Sequence, residues 1–244
     1  MKKSHHILKQ SVFTLGLCAS IIALSACQTT QKVDDGAIST EAATDRQERI
    51  SNALNRAAAQ ALKAGNTEQA ISILEKSYQR NSQNASIATQ YAYALRKVGQ
   101  IDKADLVLQS FANKADASIA TQQEYASIQL ETGEYATAET FARKVIGREE
   151  KSSEAQHTLG IALDAQGKHE EAEKHFRTAL DMWEGDPVPI MNNLALNLAA
   201  QEHIQEAVDI LKKAKSIAPN RIEIERNLRI ISTLNEAPKA FNAE

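Results

Sequence analysis

The chain has 244 residues, of which 43% are hydrophobic and 24% charged, so it holds enough apolar material for a buried core and is not disordered as a whole. Aromatic residues contribute only 5%, prolines number 4, and the prevalence of Ala, Leu, Gln, Glu and Lys favours helix over strand in nearly every window, which predicts an all-α protein. The formal net charge of −3 lacks the basic excess that a nucleic-acid partner demands. At the amino terminus Lys2, Lys3, His5, His6 and Lys9 precede an apolar run over residues 12–22, which ends in Leu24-Ser25-Ala26-Cys27. That order is the anatomy of a signal peptide. Its uncharged stretch, residues 11–26, is 16 residues long, shorter than the ~20 that a membrane-spanning helix needs.

Leu24, the small residues Ser25 and Ala26, and then Cys27 resemble the lipobox of bacterial lipoproteins. The resemblance implies cleavage before Cys27 and acylation of its thiol, so that residues 1–26 are leader and Cys27 is the lipidated first residue, palmitate among its chains. Stable anchoring takes two or more acyl chains, and the resemblance implies three. Of the two cysteines, Cys18 lies within the leader, so the mature chain carries one thiol and no disulfide. Loss of Lys2, Lys3 and Lys9 with the leader takes the net charge from −3 to −6. Gln28 stands where an inner-membrane retention signal would place Asp, which implies an outer-membrane, periplasm-facing destination. Retention of the apolar segment as an anchor, and ordinary signal-peptidase cleavage after Ala26 with release of a soluble protein, are the competing outcomes. Residues 27–46 are polar and aperiodic and read as a flexible tether.

A period of 34 then governs the chain. Gly65, Gly99, Gly133 and Gly167 are each 34 residues apart, as are Ala70, Ala104, Ala138 and Ala172, with Ala207 35 further on. A third series, Ala58, Ala92, Ala126, Gly160 and Ala195, keeps the rhythm. If each unit is a pair of antiparallel helices, the small residues mark the close contacts. The glycine then sits where the first helix must stop in a left-handed conformation. Asn66, Gln100, Glu134 and Lys168 open the turn, and Leu54, Leu74, Tyr91, Leu95, Leu108, Leu159, Leu163 and Phe176 fill the core at helical spacing.

This pattern resembles the tetratricopeptide repeat, most closely where Leu159-Gly160, Gly167, Ala172, Phe176 and Ala179 all occupy signature positions. The implied units are residues 51–84, 85–118, 119–152, 153–187 and 188–221 within a repeat domain of 47–235. A capping helix over 222–234 turns Ile224, Leu228 and Ile231 inward, and residues 236–244 form a tail. The expected fold is therefore an all-α solenoid of about five helix-turn-helix repeats plus a cap. Repeats two and three depart furthest: Phe111 and Val145 stand where a small residue is usual, and Glu202 replaces the turn glycine of the fifth unit.

In such stacks positions 2, 5, 9 and 12 of each unit line the concave face. That frame gives an apolar streak of Leu62, Tyr93, Leu130, Ile161 and Leu196, flanked by Asn55, Arg96, Gln123, His157 and Asn192, suited to an amphipathic or extended peptide. Leu62 and Leu130 read equally well as inter-repeat core. Trp183, in the junction before Pro187, reads as packing over a helix end or as a partner contact. No phosphate loop, nucleophile elbow or paired acid and base is present. His169, Glu170 and His175 lack the spacing of a zinc motif, because Glu173 stands four residues after His169. No enzyme activity, cofactor, metal or small-molecule substrate is expected.

The strings Leu159-Gly160-Ile161-Ala162-Leu163-Asp164-Ala165-Gln166-Gly167-Lys168-His169, Asn192-Asn193-Leu194-Ala195-Leu196 and Arg226-Asn227-Leu228, with Pro219, resemble the repeat lipoprotein of tight-adherence (Flp pilus) systems. That resemblance implies an outer-membrane assembly factor or pilotin with a secretin or other pilus-assembly component as partner. The alternative reading is a periplasmic scaffold lipoprotein for type IV pilus or peptidoglycan-enzyme complexes.

Overall fold

The computed structural model describes residues 35–236, with side chains from Asp45 to Leu234 except Glu48. The leader, Cys27, the first part of the tether and the tail lie outside the described residues. Contacts divide the chain at Thr44, and the repeats belong to the unit that begins with Asp45.

Among the described residues there are eleven helices and no strand: α1 (Asp35–Lys63), α2 (Thr67–Arg80), α3 (Ala85–Lys97), α4 (Ile101–Ala112), α5 (Ile119–Glu131), α6 (Tyr135–Arg148), α7 (Ser153–Asp164), α8 (His169–Met182), α9 (Val188–Ala200), α10 (Ile204–Ile217) and α11 (Ile222–Glu236). Each helix packs on its neighbour in the chain from α2 onward, and α3, α5, α7 and α9 pack on one another in turn. This is the expected solenoid of paired helices closed by α11. One boundary differs. Residues 35–46, expected as tether, are helical at the start of α1; the stretch has no proline and includes Ala37, Glu41, Ala42, Ala43 and Arg46 among weaker helix formers.

The period has two physical causes. At the start of α3, α5 and α7 the last residue of the preceding unit caps the new one: Asn84 Oδ1, Ser118 Oγ and Ser152 Oγ accept from the amides of Ile87, Thr121 and Ala155 at 3.1, 3.1 and 3.4 Å. Asp186 performs a related service at the fifth unit by accepting from the Val188 amide at 3.0 Å. At the other end, each odd helix closes by two backbone bonds around a left-handed residue. The Gln100 amide donates to the Leu95 carbonyl at 2.9 Å and the Gly99 amide to that of Arg96 at 3.0 Å, with φ of +77° at Gly99. Gln100 and its counterparts make no side-chain cap, since the main chain has already satisfied the turn. Glu202 adopts the same conformation at φ +66° without being glycine.

Ala58, Ala92, Ala126, Ala70, Ala104, Ala138, Ala172, Ala195 and Ala207 are fully buried, as the small-residue series predicts. Gly160 is the tightest of these contacts, for a methyl group there would lie 2.7 Å from the ring of Phe176. The larger side chains gather into two clusters. One runs from Ala58 to Phe141, the other from Ala142 to Ile231, and they meet at α6. On α11, Ile224 and Ile231 are buried and Leu228 packs at the margin, as expected for the cap.

The third repeat is held in large part by polar contacts. Helix α5 buries Thr121, Gln122, Glu124 and Gln129. Thr121 meets Thr89 at 2.9 Å, Gln129 donates to Asp105 at 2.6 Å, and Arg148 reaches the Ala117 carbonyl at 2.6 Å and Gln122 at 3.1 Å. Buried amides must find partners, and these fix α5 between its neighbours. Along the even helices the joints are ionic: Arg143 bridges Glu139 and Glu171, and one repeat later Arg177 bridges Glu173 and Glu206. Lys168 adds a hydrogen bond that, with those of Gln166 and Arg143, holds the Glu139 carboxyl down to about 2.

Candidate functional site: a groove on the odd helices

A groove of about 640 Å³ opens across α3, α5 and α7, with Trp183 at one side. It brings together four of the residues predicted to face a partner: Tyr93, Arg96, Gln123 and His157. Its remaining lining includes Thr89, Lys97, Glu124, Ser127, Glu154 and Thr158. These fall at the expected positions 2, 5, 9 and 12 and also at 6 and 13, so the exposed stripe is one residue wider than the frame allowed. Trp183 enters from the end of α8, where the fourth unit runs one residue longer than 34.

The other predicted residues lie elsewhere. Leu62 and Ile161 are half-buried and pack against the two apolar clusters, which places them at the core margin. Leu130 is half-buried outside the groove lining, and Leu196 is 41% exposed further along the stack on α9. Asn192 accepts from Asn227 at 2.8 Å and so ties α9 to α11.

Charge in the groove is mostly internal. Arg96 donates from Nε and Nη2 to the two carboxylate oxygens of Glu124, at 2.6 and 3.0 Å, and from Nη1 to Glu131 at 2.8 Å. Burial opposes the charge of Arg96, but the hydrogen bonds of Glu124 and Glu131 outweigh it and the guanidinium stays ionised. Burial pushes the Glu124 carboxyl up in spite of those same bonds. Arg96 therefore lines the groove without a free nitrogen for a partner's carboxylate. Tyr93, 37% exposed, presents its ring between Arg96 and Lys97, whose cationic groups lie 5.7 and 5.3 Å from the ring centre.

The floor is neutral and polar. His157 accepts from Asn193 at 2.9 Å, packs edge-on to Trp183 with centroids 6.1 Å apart, and has its pKa lowered to about 4 by burial. Gln123 donates from Nε2 to Thr158 at 3.0 Å, and its Oε1 is buried with no hydrogen-bond partner; the indole N–H of Trp183 is also unpaired. Both atoms are fully buried behind the groove lining, where unpaired polar atoms depart from ordinary buried chemistry.

Among the described residues no group of His, Cys, Asp and Glu is placed to hold a metal ion. His169 pairs with Asp164 at 2.7 Å and His175 with Gln156 at 2.6 Å, so the two histidines face different partners. No helix among the described residues is long and apolar enough to cross a membrane.

Two tetratricopeptide-repeat sequence models match the chain, over residues 61–123 and 152–220. They leave out most of the third repeat, where α5 is polar. Several solved structures share the fold at low identity. TTC0263, a thermophilic tetratricopeptide-repeat protein of Thermus thermophilus, is 14% identical over 75% of this chain and 99% of its own, with a TM-score of 0.60. MamA from Desulfovibrio magneticus RS-1 is 15% identical over 70% and 97%, at 0.58. YrrB, described as a tetratricopeptide-repeat protein with an unusual peptide-binding site, is 15% identical over 70% and 88%, at 0.56. Among curated proteins none matches this chain in sequence.

Proposed function

Because the chain belongs to the tetratricopeptide-repeat family, we propose that it is a protein-binding scaffold whose groove across α3, α5 and α7 takes an extended segment of a partner. The observation that carries this reading is the exposed ring of Tyr93 in a groove whose other lining is largely uncharged and polar, Thr89, Gln123, Ser127 and Thr158 among it. An extended peptide supplies both a donor and an acceptor at each residue, whereas an amphipathic helix has spent its own. The peptide-binding site described for YrrB lends support by fold likeness. The role is that of a scaffold and not of an enzyme.

The finer reading rests on the sequence. The lipobox around Cys27 supports a lipoprotein anchored in the outer membrane and facing the periplasm, and the resemblance of residues 159–169 and 192–196 supports assembly of a tight-adherence pilus, with the secretin as partner in a pilotin role. Affinity purification of the full chain from its host membrane, with identification of what co-purifies, tests this. A secretin with pilus-assembly proteins is the expected recovery. Peptidoglycan enzymes or type IV pilus components without such a secretin would replace it with the scaffold reading. Cys27→Ser is expected to abolish palmitate labelling, and labelling that persists would move the lipid site.

A further inference from the structure

The groove has four formal charges on its lining, Arg96, Lys97, Glu124 and Glu154. Arg96 and Glu124 are paired at 2.6 Å, and Arg96 also holds Glu131, which lies outside the lining, at 2.8 Å. Lys97 and Glu154 are exposed and form no ion pair within 4 Å among the described residues, although the charge of Lys97 also acts at longer range on Glu124. Lys97 is the last residue of α3 and Glu154 the second of α7, with α5 between them. The odd helices run in the same direction, so the two charges occupy diagonally opposite corners of the groove. Adjacent helix axes lie about 9 Å apart, which puts α3 and α7 about 18 Å apart; the offset of eleven residues along the helices adds about 17 Å in the other direction. The diagonal is then about 25 Å, the reach of seven or eight extended residues at roughly 3.3 Å each.

We infer that the groove selects an extended segment bearing one acidic and one basic side chain about seven residues apart, the acid meeting Lys97 and the base meeting Glu154, over an otherwise uncharged middle. This rests on the groove being the binding face. The middle is specified by the floor: Gln123, Ser127, Thr158 and a neutral His157 offer hydrogen bonds and no charge. A charged residue placed there meets the Arg96–Glu124 pair, which is already closed, and loses water without gaining a partner. The acidic end gains most where it reaches Lys97 held against the face of Tyr93, since the ring fixes the ammonium in place. Such a segment is dipolar, and its two ends fix its direction along the groove.

Trp183, the one tryptophan in the sequence, reports occupancy through its fluorescence. The test titrates the full chain in detergent with four synthetic octapeptides of a shared Ser/Ala middle: acid first and base last, base first and acid last, acid at both ends, and uncharged. Two exposed ion pairs are worth about 1 kcal/mol together, so one dipolar order is expected to bind about fivefold more tightly than the uncharged peptide. In the double variant Lys97→Glu/Glu154→Lys, the preference is expected to pass to the opposite order. Equal binding of all four peptides, or an order of preference unchanged in the double variant, overturns the inference. Absence of binding by every octapeptide also overturns it. The groove itself is judged separately, by whether Tyr93→Asp abolishes capture of the natural partner: loss of capture there, beside equal peptide binding, leaves the groove in place and removes only its polarity.

Discussion

Arg96 holds Glu124 through two parallel hydrogen bonds, Nε to Oε1 at 2.6 Å and Nη2 to Oε2 at 3.0 Å, across the contact of α3 with α5. The side chains are only 14% and 10% exposed, so each charge depends on the other for its solvation. Removing one partner strands the second: Arg96→Met is expected to destabilise the protein by about 3 kcal/mol. The double variant Arg96→Met/Glu124→Leu restores packing without a stranded charge and is expected to recover most of that loss. Urea unfolding of both variants checks this, and equal losses in the single and the double variant would show that the pair is not the cause.

Gly160 faces the Phe176 ring so closely that a methyl group would sit at 2.7 Å. Gly160→Ala is expected to cost about 2 kcal/mol through overpacking. The same ring lies 6.0 Å from that of His157, so the strain is passed towards the groove floor. Thermal unfolding together with near-ultraviolet circular dichroism of Trp183 reads both effects, and unchanged melting would mean that the two helices separate freely.

Glu202 holds φ +66°, where Gly65, Gly99, Gly133 and Gly167 stand in the other units. A side chain with a Cβ is strained there by about 1 kcal/mol. Glu202→Gly should therefore raise stability by roughly that amount, although glycine elsewhere lowers it. Gly133→Ala, with open space around the added carbon, should lose a similar amount through the backbone alone. A melting temperature lowered by Glu202→Gly would contradict the backbone account.

His157 has its pKa lowered from 6.5 to about 4, with burial as the cause. A lowered folded pKa means that the unfolded chain takes up the proton first as pH falls. The stability that the neutral ring confers is whole above pH 6.5 and is lost as pH drops towards 4, with a full effect of about 3 kcal/mol. His175, lowered by burial as well, acts in the same sense. Glu124, raised by burial, acts in the opposite sense just above its ordinary range. The contribution of His157 is therefore read by difference: His157→Gln should flatten the pH dependence of urea unfolding between pH 6.5 and 4, and an unchanged slope would mean that the ring protonates freely in the folded state.

The fold was legible because the residues that set the period have few substitutes, Glu202 being the exception at the turn. A left-handed turn selects glycine at position 65 and its successors, and a close helix contact selects alanine or glycine at position 58 and its successors, so both series survive as identities in the sequence. The start of α1 was not legible, because residues 35–46 mix Gly, Ser, Thr and Asp with a few alanines and lack the apolar periodicity that marks a helix against a core. In the groove, Tyr93, Gln123 and His157 followed from repeat geometry. Lys97, Glu124 and Thr158 did not, because the exposed stripe of a helix is wider than four positions per unit. Ile161 shares position 9 with Tyr93 yet packs at the core margin against the second apolar cluster. That Arg96 is committed to Glu124 depends on two residues 28 apart meeting across helices, which no local pattern announces.

The most direct test compares the proteins captured from the host membrane by the full chain and by its Tyr93→Asp variant. Tyr93 is exposed, so the substitution leaves the core intact and the helicity unchanged. Loss of the captured partner from a folded Tyr93→Asp chain is the predicted result. The same partner recovered at the same yield would contradict the assignment of binding to this groove.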